Sequence, residues 1–105
     1  MLLQDVLHKV KIESCIGNIK RMNINNIHFD SRKIRRGDLF LAINGLTLDG
    51  HDFIDQSIKN GANSIILETL PERIQKDICY LLVKNSRETL SLISANFYNH
   101  PSRKL

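Results

Sequence analysis

The sequence predicts an α/β fold: a three-layer α/β/α sandwich with a mostly parallel or mixed sheet of about four to five strands. Two observations predict it. Short runs rich in apolar, β-branched and aromatic residues alternate with segments whose apolar residues recur at helical spacing. The run 39–43 is apolar without interruption, which is typical of a strand that helices cover on both faces.

The first half of the chain supplies three predicted elements. Apolar residues at helical spacing predict a short helix over 1–10, and a Gly-Asn pair at 17–18 breaks the chain after it. Alternating polar and β-branched residues predict a strand over 24–29. The apolar run 39–43 is the next strand, and an Asn-Gly pair marks its end.

The second half continues the alternation. The predicted elements are a helix over 51–60, a strand over 64–68, a helical turn near 70–72, a strand over 79–84 and a helix over 86–98. Gly61 is a natural C-terminal stop for the first of these helices, and Ser86 is the predicted N-cap of the last.

Length and composition limit the class of protein. A chain of 105 residues, 42% of them hydrophobic, is expected to form a single domain, 1–105, with one core. Its apolar runs are far shorter than the ~20 residues that cross a bilayer, and no signal peptide is recognisable, so we expect a cytoplasmic protein without a membrane partner. Cys15 and Cys79 lie far apart and lack metal-ligand spacing, which predicts two reduced thiols.

The charge balance allows an anionic ligand. Fifteen basic residues against 11 acidic ones give a net charge of +4, and four of the basic residues cluster within 32–36. No helix-turn-helix, zinc-finger or RNA-binding signature accompanies this cluster, so no nucleic-acid partner is expected. A solvated loop that contributes one cation to a phosphate is the favoured interpretation.

The residues predict no catalytic group, metal or cofactor in this chain. Neither a phosphate-binding Gly-x-x-x-x-Gly-Lys loop nor a dinucleotide Gly-x-Gly-x-x-Gly motif is present. The histidines are scattered, without carboxylates or cysteines at metal-ligand spacing. Ser31 lacks the Gly-x-Ser-x-Gly context of a nucleophile, so it is interpreted as a hydrogen-bond donor.

Recognition of a ligand at strand ends is the chemistry that remains. The Ser31 hydroxyl can donate to a phosphate oxygen, and the loop 45–48 can offer backbone N–H groups to a phosphate or to the polar edge of a base. The helix that starts near His51 would add its N-terminal dipole. Phe29 is either a core residue or a platform for a flat base, and from the residues alone the core is the favoured interpretation.

Several charged residues beside this site have more than one interpretation. An Asx-type turn that holds the Ser31 loop is favoured for Asp30 over a ligand contact. Arg32 pairs with Asp30, Asp38 or Asp49, or faces a phosphate, and the sequence does not choose. Asp49-Gly50 most simply forms a turn, and His51 is interpreted as a helix-start residue rather than a catalytic one.

The order of the motifs resembles the N-terminal domain of the Mur ligases, the enzymes that build peptidoglycan. The motifs are Asp30-Ser31-Arg32, the run Gly37 to Ala42, Gly45, the run Asp49 to Ile54, and Gly61-Ala62. The resemblance covers nearly the whole chain and is weakest near the N-terminus. The ending 97–105 resembles the junction that leads into a central ATP-binding domain in the MurE branch, and it favours that branch over MurF.

The resemblance implies a division of labour among three domains. The first holds the UDP part of UDP-N-acetylmuramoyl-L-alanyl-D-glutamate, the central one binds ATP and Mg²⁺, and the last takes the incoming diamino acid. The chain corresponds to the first domain only, so the ATP-binding neighbour and the C-terminal domain are expected to lie outside it. Alone, it is expected to bind weakly and to catalyse nothing.

Carried over position by position, the resemblance implies five residues at the UDP-sugar site: Phe29, Ser31, Leu46, Thr47 and Leu48. The residues implied to support them are Asp30, Arg32, Gly45, Asp49, Gly50 and His51. Leu46 stands where some members have a histidine, so backbone contacts rather than a side-chain contact are expected at that position.

A free-standing module for an anionic ligand or nucleic acid is the alternative from a different class. It rests on the isoelectric point of about 9.3 and on the basic segment 32–36. It predicts that affinity for RNA or DNA falls steeply with salt and that uridine nucleotides are not preferred.

Overall fold

The computed structural model describes residues 1–43 and 49–98, which form a five-stranded sheet between two helical layers. The strands are β1 (Ser14–Ile16), β2 (Ile27–His28), β3 (Leu39–Leu41), β4 (Ser64–Leu67) and β5 (Cys79–Leu82). Their spatial order is β1-β5-β4-β3-β2. Strands β2 to β5 are parallel, and β1 pairs antiparallel with β5, so the sheet is mixed, as predicted.

Within the described residues, three α-helices and three short 3₁₀ turns connect the strands. The helices are α1 (Leu3–Val6), α2 (Ile54–Asn60) and α3 (Ser86–Tyr98), and the turns are Ile19–Arg21, Ser31–Lys33 and Gly50–Phe53. Helices α1 and α3 pack on one face of the sheet, and α2 packs on the other. The three-layer prediction is therefore confirmed.

Alternate residues of the central strands supply the two cores. In β3, Leu39 and Leu41 face the layer of α1 and α3, whereas Phe40 faces the layer of α2. The side chains of β4 and β5 divide in the same way, because successive residues of a strand point to opposite faces. Each fully buried Leu, Ile or Phe contributes about 1.5–3 kcal/mol, so these strands hold the layers together.

The predicted helix over 1–10 is a single turn. Helix α1 ends at Val6, and Lys9 takes a left-handed conformation with φ of 67°. The side-chain amide of Asn96 in α3 donates to the carbonyls of Val6 and His8, at 2.8 Å and 2.6 Å. A tertiary contact thus satisfies the carbonyls that a longer helix would have paired internally.

The sequence differs from the structure at two other places. It does not predict strand β1, because Ser14 and Cys15 are exposed on an edge strand and carry no apolar pattern. The helical turn predicted near 70–72 is absent, and the whole connection between β4 and β5 lacks helix. The polar residues of this connection pack against no other layer, so burial of an apolar face does not stabilise a helical turn there.

The last helix has its predicted bounds but another N-cap. Asn85 Oδ1 accepts from the backbone N–H of Glu88 at 3.0 Å, and the N–H of Ser86 donates instead to Glu68 Oε2 at 2.7 Å. The predicted N-cap at Ser86 is therefore wrong by one residue, because Asn is as strong a capping residue as Ser and Asn85 directly precedes the first helical residue. The C-terminal stop of α2 is confirmed, because Gly61 has φ of 118°.

Candidate functional site

The carboxyl ends of β2, β3 and β4 meet at one edge of the sheet, and two predicted site segments lie there. Residues 29–32 follow β2 directly, and 49–51 return to the end of β3. The N–H of Gly50 donates to the carbonyl of Ile43 at 2.8 Å. A Cβ at Gly50 would lie 2.6 Å from the Ile43 nitrogen, so only glycine permits this approach.

Part of the predicted site lies outside the described residues. This holds for Gly45, Leu46, Thr47 and Leu48, and also for residues 99–105 at the predicted domain junction. The described part of the candidate site consists of the turn after β2 and the turn that begins at Asp49.

Phe29 is exposed, which contradicts its assignment to the core. Its side chain belongs to neither core cluster, and 61% of the residue is accessible to solvent. Strand β2 is one of the two edge strands and ends at His28, so Phe29 lies past the end of the strand. An aromatic ring in this position offers its face to a planar ligand.

The turn after β2 is held by Asp30 and Arg32. Asp30 Oδ1 accepts from the backbone N–H of Arg32 at 3.0 Å, which confirms the Asx-type turn. The Arg32 guanidinium donates to both carboxylate oxygens, Nε to Oδ1 at 3.1 Å and Nη2 to Oδ2 at 3.0 Å. Arg32 therefore pairs with Asp30, the nearest of the three acids considered. Its side-chain hydrogen bonds, followed by its backbone hydrogen bond, lower the pKa of Asp30.

Ser31 is buried, and its backbone is anchored from the opposite side of the site. The Asn60 side chain at the end of α2 donates from Nδ2 to the Ser31 carbonyl at 2.8 Å. No residue within 1–43 or 49–98 hydrogen-bonds the Ser31 hydroxyl. Asn60 was not singled out from the sequence, because nothing local links it to a residue 29 positions earlier.

His51 uses both ring nitrogens inside the protein. Nε2 accepts from the backbone N–H groups of Glu68 and Thr69, at 2.9 Å and 3.2 Å. Nε2 therefore carries no proton, and Nδ1–H donates to Asp49 Oδ1 at 2.6 Å. The imidazole joins the turn after β3 to the end of β4, so neither nitrogen is left for a ligand.

Asp49 occupies the position where a helix dipole was predicted to favour an anion. Its Oδ1 accepts from the backbone N–H of His51 at 2.9 Å, and its carbonyl accepts from the N–H of Asp52 at 3.0 Å. The backbone and side-chain hydrogen bonds of His51 lower the pKa of Asp49. The 3₁₀ turn Gly50–Phe53, whose N-cap is Asp49, runs directly into helix α2 at Ile54. A helical N-terminus near His51 is therefore present, although its first turn is 3₁₀ rather than α-helical. The prediction of a turn at Asp49-Gly50 is confirmed.

The basic segment 32–36 is a solvated loop that is braced by its own side chains. Arg35 Nη1 donates to the carbonyls of Arg32 and Ile34, at 3.4 Å and 3.2 Å. Its backbone N–H donates to the buried carboxylate of Asp38 at 2.8 Å. With Arg32 paired to Asp30 as well, this segment presents fewer free cations than its sequence suggests.

The described ranges, 1–43 and 49–98, contain no group of three or more His, Cys, Asp or Glu side chains arranged to hold a metal ion. No helix in them has both the length and the apolar content needed to cross a membrane.

Comparison with known proteins matches both the sequence and the fold. A family model described as "Mur ligase family, catalytic domain" matches residues 23–98. The UDP-N-acetylmuramoyl-L-alanyl-D-glutamate--2,6-diaminopimelate ligase of Clostridium tetani is 41% identical over 107 residues, which covers 100% of this chain and 22% of that relative. The chain thus spans about a fifth of the relative's length.

Solved structures share the architecture. MurF from Acinetobacter baumannii has a TM-score of 0.69 and 27% identity, covering 95% of this chain and 21% of that one. The MurF ligase from Thermotoga maritima, in complex with ADP, has a TM-score of 0.60 and 33% identity, covering 71% and 17%. Both likenesses agree with the three-layer fold described above.

Proposed function

Because the chain belongs to the Mur ligase family, we propose that it is the UDP-binding N-terminal domain of a MurE-type ligase of peptidoglycan synthesis. Its ligand would be the UDP part of UDP-N-acetylmuramoyl-L-alanyl-D-glutamate. The relative that is 41% identical over the whole chain is a diaminopimelate ligase of this kind. The two MurF structures are 27% and 33% identical, the second over only 71% of the chain, so the 41% identity over the whole chain favours the MurE branch.

The observation that carries the proposal is the pair formed by Phe29 and Ser31 at the end of β2. An exposed aromatic ring and a hydroxyl that no described residue engages stand two residues apart. Stacking of a base on an aromatic ring contributes about 1–3 kcal/mol. A serine hydroxyl donates well to a phosphate oxygen. The two groups together suit a pyrimidine nucleotide.

The surrounding turns would supply the rigidity that such a site needs. The Asp30 turn and the Asn60 anchor hold Ser31 from two sides. The Asp49–His51 pair holds the start of the second turn against β4. Gly45, Leu46, Thr47 and Leu48 enter the proposal on the sequence alone, as a loop whose backbone N–H groups would bind the nucleotide.

In the proposed cytoplasmic enzyme this domain acts by positioning. A neighbouring ATP-binding domain, with ATP and Mg²⁺, would phosphorylate the D-glutamate carboxylate, and the amine of a diamino acid would then attack the acyl phosphate. Holding the remote UDP group fixes the reacting carboxylate, so binding energy far from the reaction lowers its entropic cost. The chain alone would bind UDP weakly and would release no ADP.

A titration tests this proposal. The isotope-labelled chain is titrated with UDP-N-acetylmuramic acid, and with AMP as the control, while amide shifts are followed by NMR. We expect shifts at 29–32 and 49–51 with the uridine ligand and none with AMP. Equal response to both nucleotides, or binding to RNA with a steep loss in salt, would contradict the proposal.

A further inference from the structure

Cys15 and Cys79 lie 64 residues apart in sequence, yet their sulfur atoms are in contact. Both are free thiols, and the Sγ atoms are 4.0 Å apart. Cys15 lies on the exposed edge strand β1, and Cys79 is buried in its neighbour β5. This edge is opposite to the one formed by β2, so the pair is separate from the candidate UDP site.

A glycine makes the contact possible. The register pairs Cys15 with Leu81 and Ile16 with Tyr80, so the next residue, Gly17, faces Cys79. A Cβ at Gly17 would lie 3.0 Å from the Cα of Cys79 and 3.4 Å from its Cβ. Because Gly17 has no side chain, Cys15 Sγ leans along the strand towards it and lies 3.8 Å from the Gly17 carbonyl.

We propose that Cys15 and Cys79 form a reversible redox modification site, at which a small disulfide such as oxidised glutathione generates an intramolecular bond between β1 and β5. A disulfide requires an S–S distance of about 2.05 Å. The sulfurs are already in van der Waals contact. Because Cys15 and Cys79 occupy diagonal rather than directly opposite positions, closing the bond requires a shift of edge strand β1 together with rotation of the exposed Cys15 side chain.

The chemistry takes two exchange steps. The Cys15 thiolate attacks one sulfur of oxidised glutathione, a Cys15–glutathione bond forms, and a glutathione thiolate leaves. Cys79 then releases its proton to water, its sulfur attacks the Cys15 sulfur, and the second glutathione thiolate leaves. The two cysteines lose two electrons and two protons, and oxidised glutathione takes up both electrons.

The two thiols have different roles because their surroundings differ. Cys15 is exposed and meets the oxidant first. Burial, followed by the neighbouring Cys15, raises the pKa of Cys79 to about 12, so its thiolate is scarce. Because the accessible Cys15 reacts with the oxidant before the buried Cys79, a mixed disulfide at Cys15 should precede the internal bond.

Closing the bond would secure the edge of the sheet. Among the described residues, strand β1 pairs only with β5, so separation of β1 from the sheet would expose the edge of β5. A cross-link over 64 positions restricts the unfolded chain strongly. We therefore expect the oxidised chain to unfold at a higher urea concentration than the reduced chain, and reductant to reverse the difference.

Mass spectrometry of the 105-residue chain tests the site. The reduced chain is incubated with oxidised glutathione, quenched with acid at intervals and weighed intact. We expect a glutathione adduct first, and then a monomer lighter than the starting chain by two hydrogen atoms. Proteolysis without reductant should give one linked pair of peptides that contain Cys15 and Cys79, and dithiothreitol should restore the original mass.

Two variants separate the roles of the thiols. Cys15→Ser should remain unmodified, and Cys79→Ala should stop at the mixed disulfide. If Cys79→Ala fails to fold, the wild-type time course decides. A wild-type chain that stays folded but ends as the Cys15 adduct, as an intermolecular dimer or without reaction would overturn the proposal.

Discussion

The imidazole of His51 accepts a hydrogen bond from the backbone N–H of Glu68 at 2.9 Å, and so joins the turn after β3 to the end of β4. The same ring donates to Asp49, and Glu68 accepts in turn from the N–H of Ser86. Hydrogen bonds therefore cross the carboxyl edge of the sheet from β3 to the start of α3. The stability of this edge depends on the side chains of Asp49, His51 and Glu68, which the sequence alone had placed in a turn, at a helix start and at the end of a strand.

Replacing His51 should destabilise the domain. His51→Ala removes the acceptor of the Glu68 and Thr69 backbone N–H groups. Leaving these two donors without that acceptor should lower the free energy of unfolding by about 1–3 kcal/mol. Urea unfolding measures it. His8→Ala, at an exposed histidine, is the matched control and should change stability by less than about 0.5 kcal/mol. Equal effects of the two changes would show that the His51 hydrogen bonds contribute nothing.

Stability should fall in acid through Asp30 and Asp49. Both carboxyl pKa values are lowered from the ordinary value of 3.8, by Arg32 and by His51 respectively. A lowered folded-state pKa stabilises the protein above the unfolded value, and this contribution is lost as pH falls through the folded value. Urea midpoints measured from pH 6 down to pH 2 should therefore decline below about pH 4. In Asp49→Asn the decline should be shallower, and an unchanged slope would contradict the assignment.

Asn60 should matter for ligand binding more than for the fold. Asn60→Ala releases the Ser31 carbonyl, and we expect a stability loss of about 0.5–1.5 kcal/mol together with weaker UDP binding. Asn63→Ala is a matched control, because Asn63 Nδ2 donates to the Asn23 carbonyl at 2.9 Å. It should cost similar stability and leave UDP affinity unchanged. If both variants bind UDP like the wild type, Asn60 does not position Ser31 for the ligand.

Phe29→Ala should weaken uridine binding without unfolding the domain. Loss of stacking predicts a fall of about 1–3 kcal/mol in binding free energy, or roughly 5- to 150-fold in Kd. Because 61% of Phe29 is exposed, the melting temperature should hardly change. Tyr98→Ala removes a comparably exposed aromatic at the end of α3 and should bind UDP normally. Similar losses in both variants would argue against stacking at Phe29.

Gly61→Ala should be strongly destabilising. Gly61 has φ of 118°, and a Cβ there would lie 2.5 Å from the Cα of Arg36. The strain of an alanine in the left-handed region and its clash with the Arg36 backbone should together lower the free energy of unfolding by about 1–3 kcal/mol. Thermal unfolding measures this change. Gln56→Ala, at an exposed position inside α2, is the control and should be nearly neutral. A Gly61→Ala chain as stable as the wild type would show that the backbone at residues 35–36 moves aside at little cost in free energy.

Local patterns were sufficient to predict much of the fold. Helix α3 has its predicted bounds, Ser86–Tyr98, because a long amphipathic repeat leaves little choice of residues. The strands β3, β4 and β5 were found because buried parallel strands require apolar runs. Strand β1 was missed, since an edge strand with exposed side chains carries no such pattern.

The sequence by itself determined the alternation of strands and helices, the Asx turn at Asp30, the stop at Gly61 and the family to which the chain belongs. All of these depend on residues close together in the chain or on their order. Only the tertiary structure decided that Phe29 is exposed, that Asn60 holds Ser31, that His51 joins β3 to β4 and that Cys15 meets Cys79. Each depends on which strands become neighbours, and long-range burial and pairing set that order.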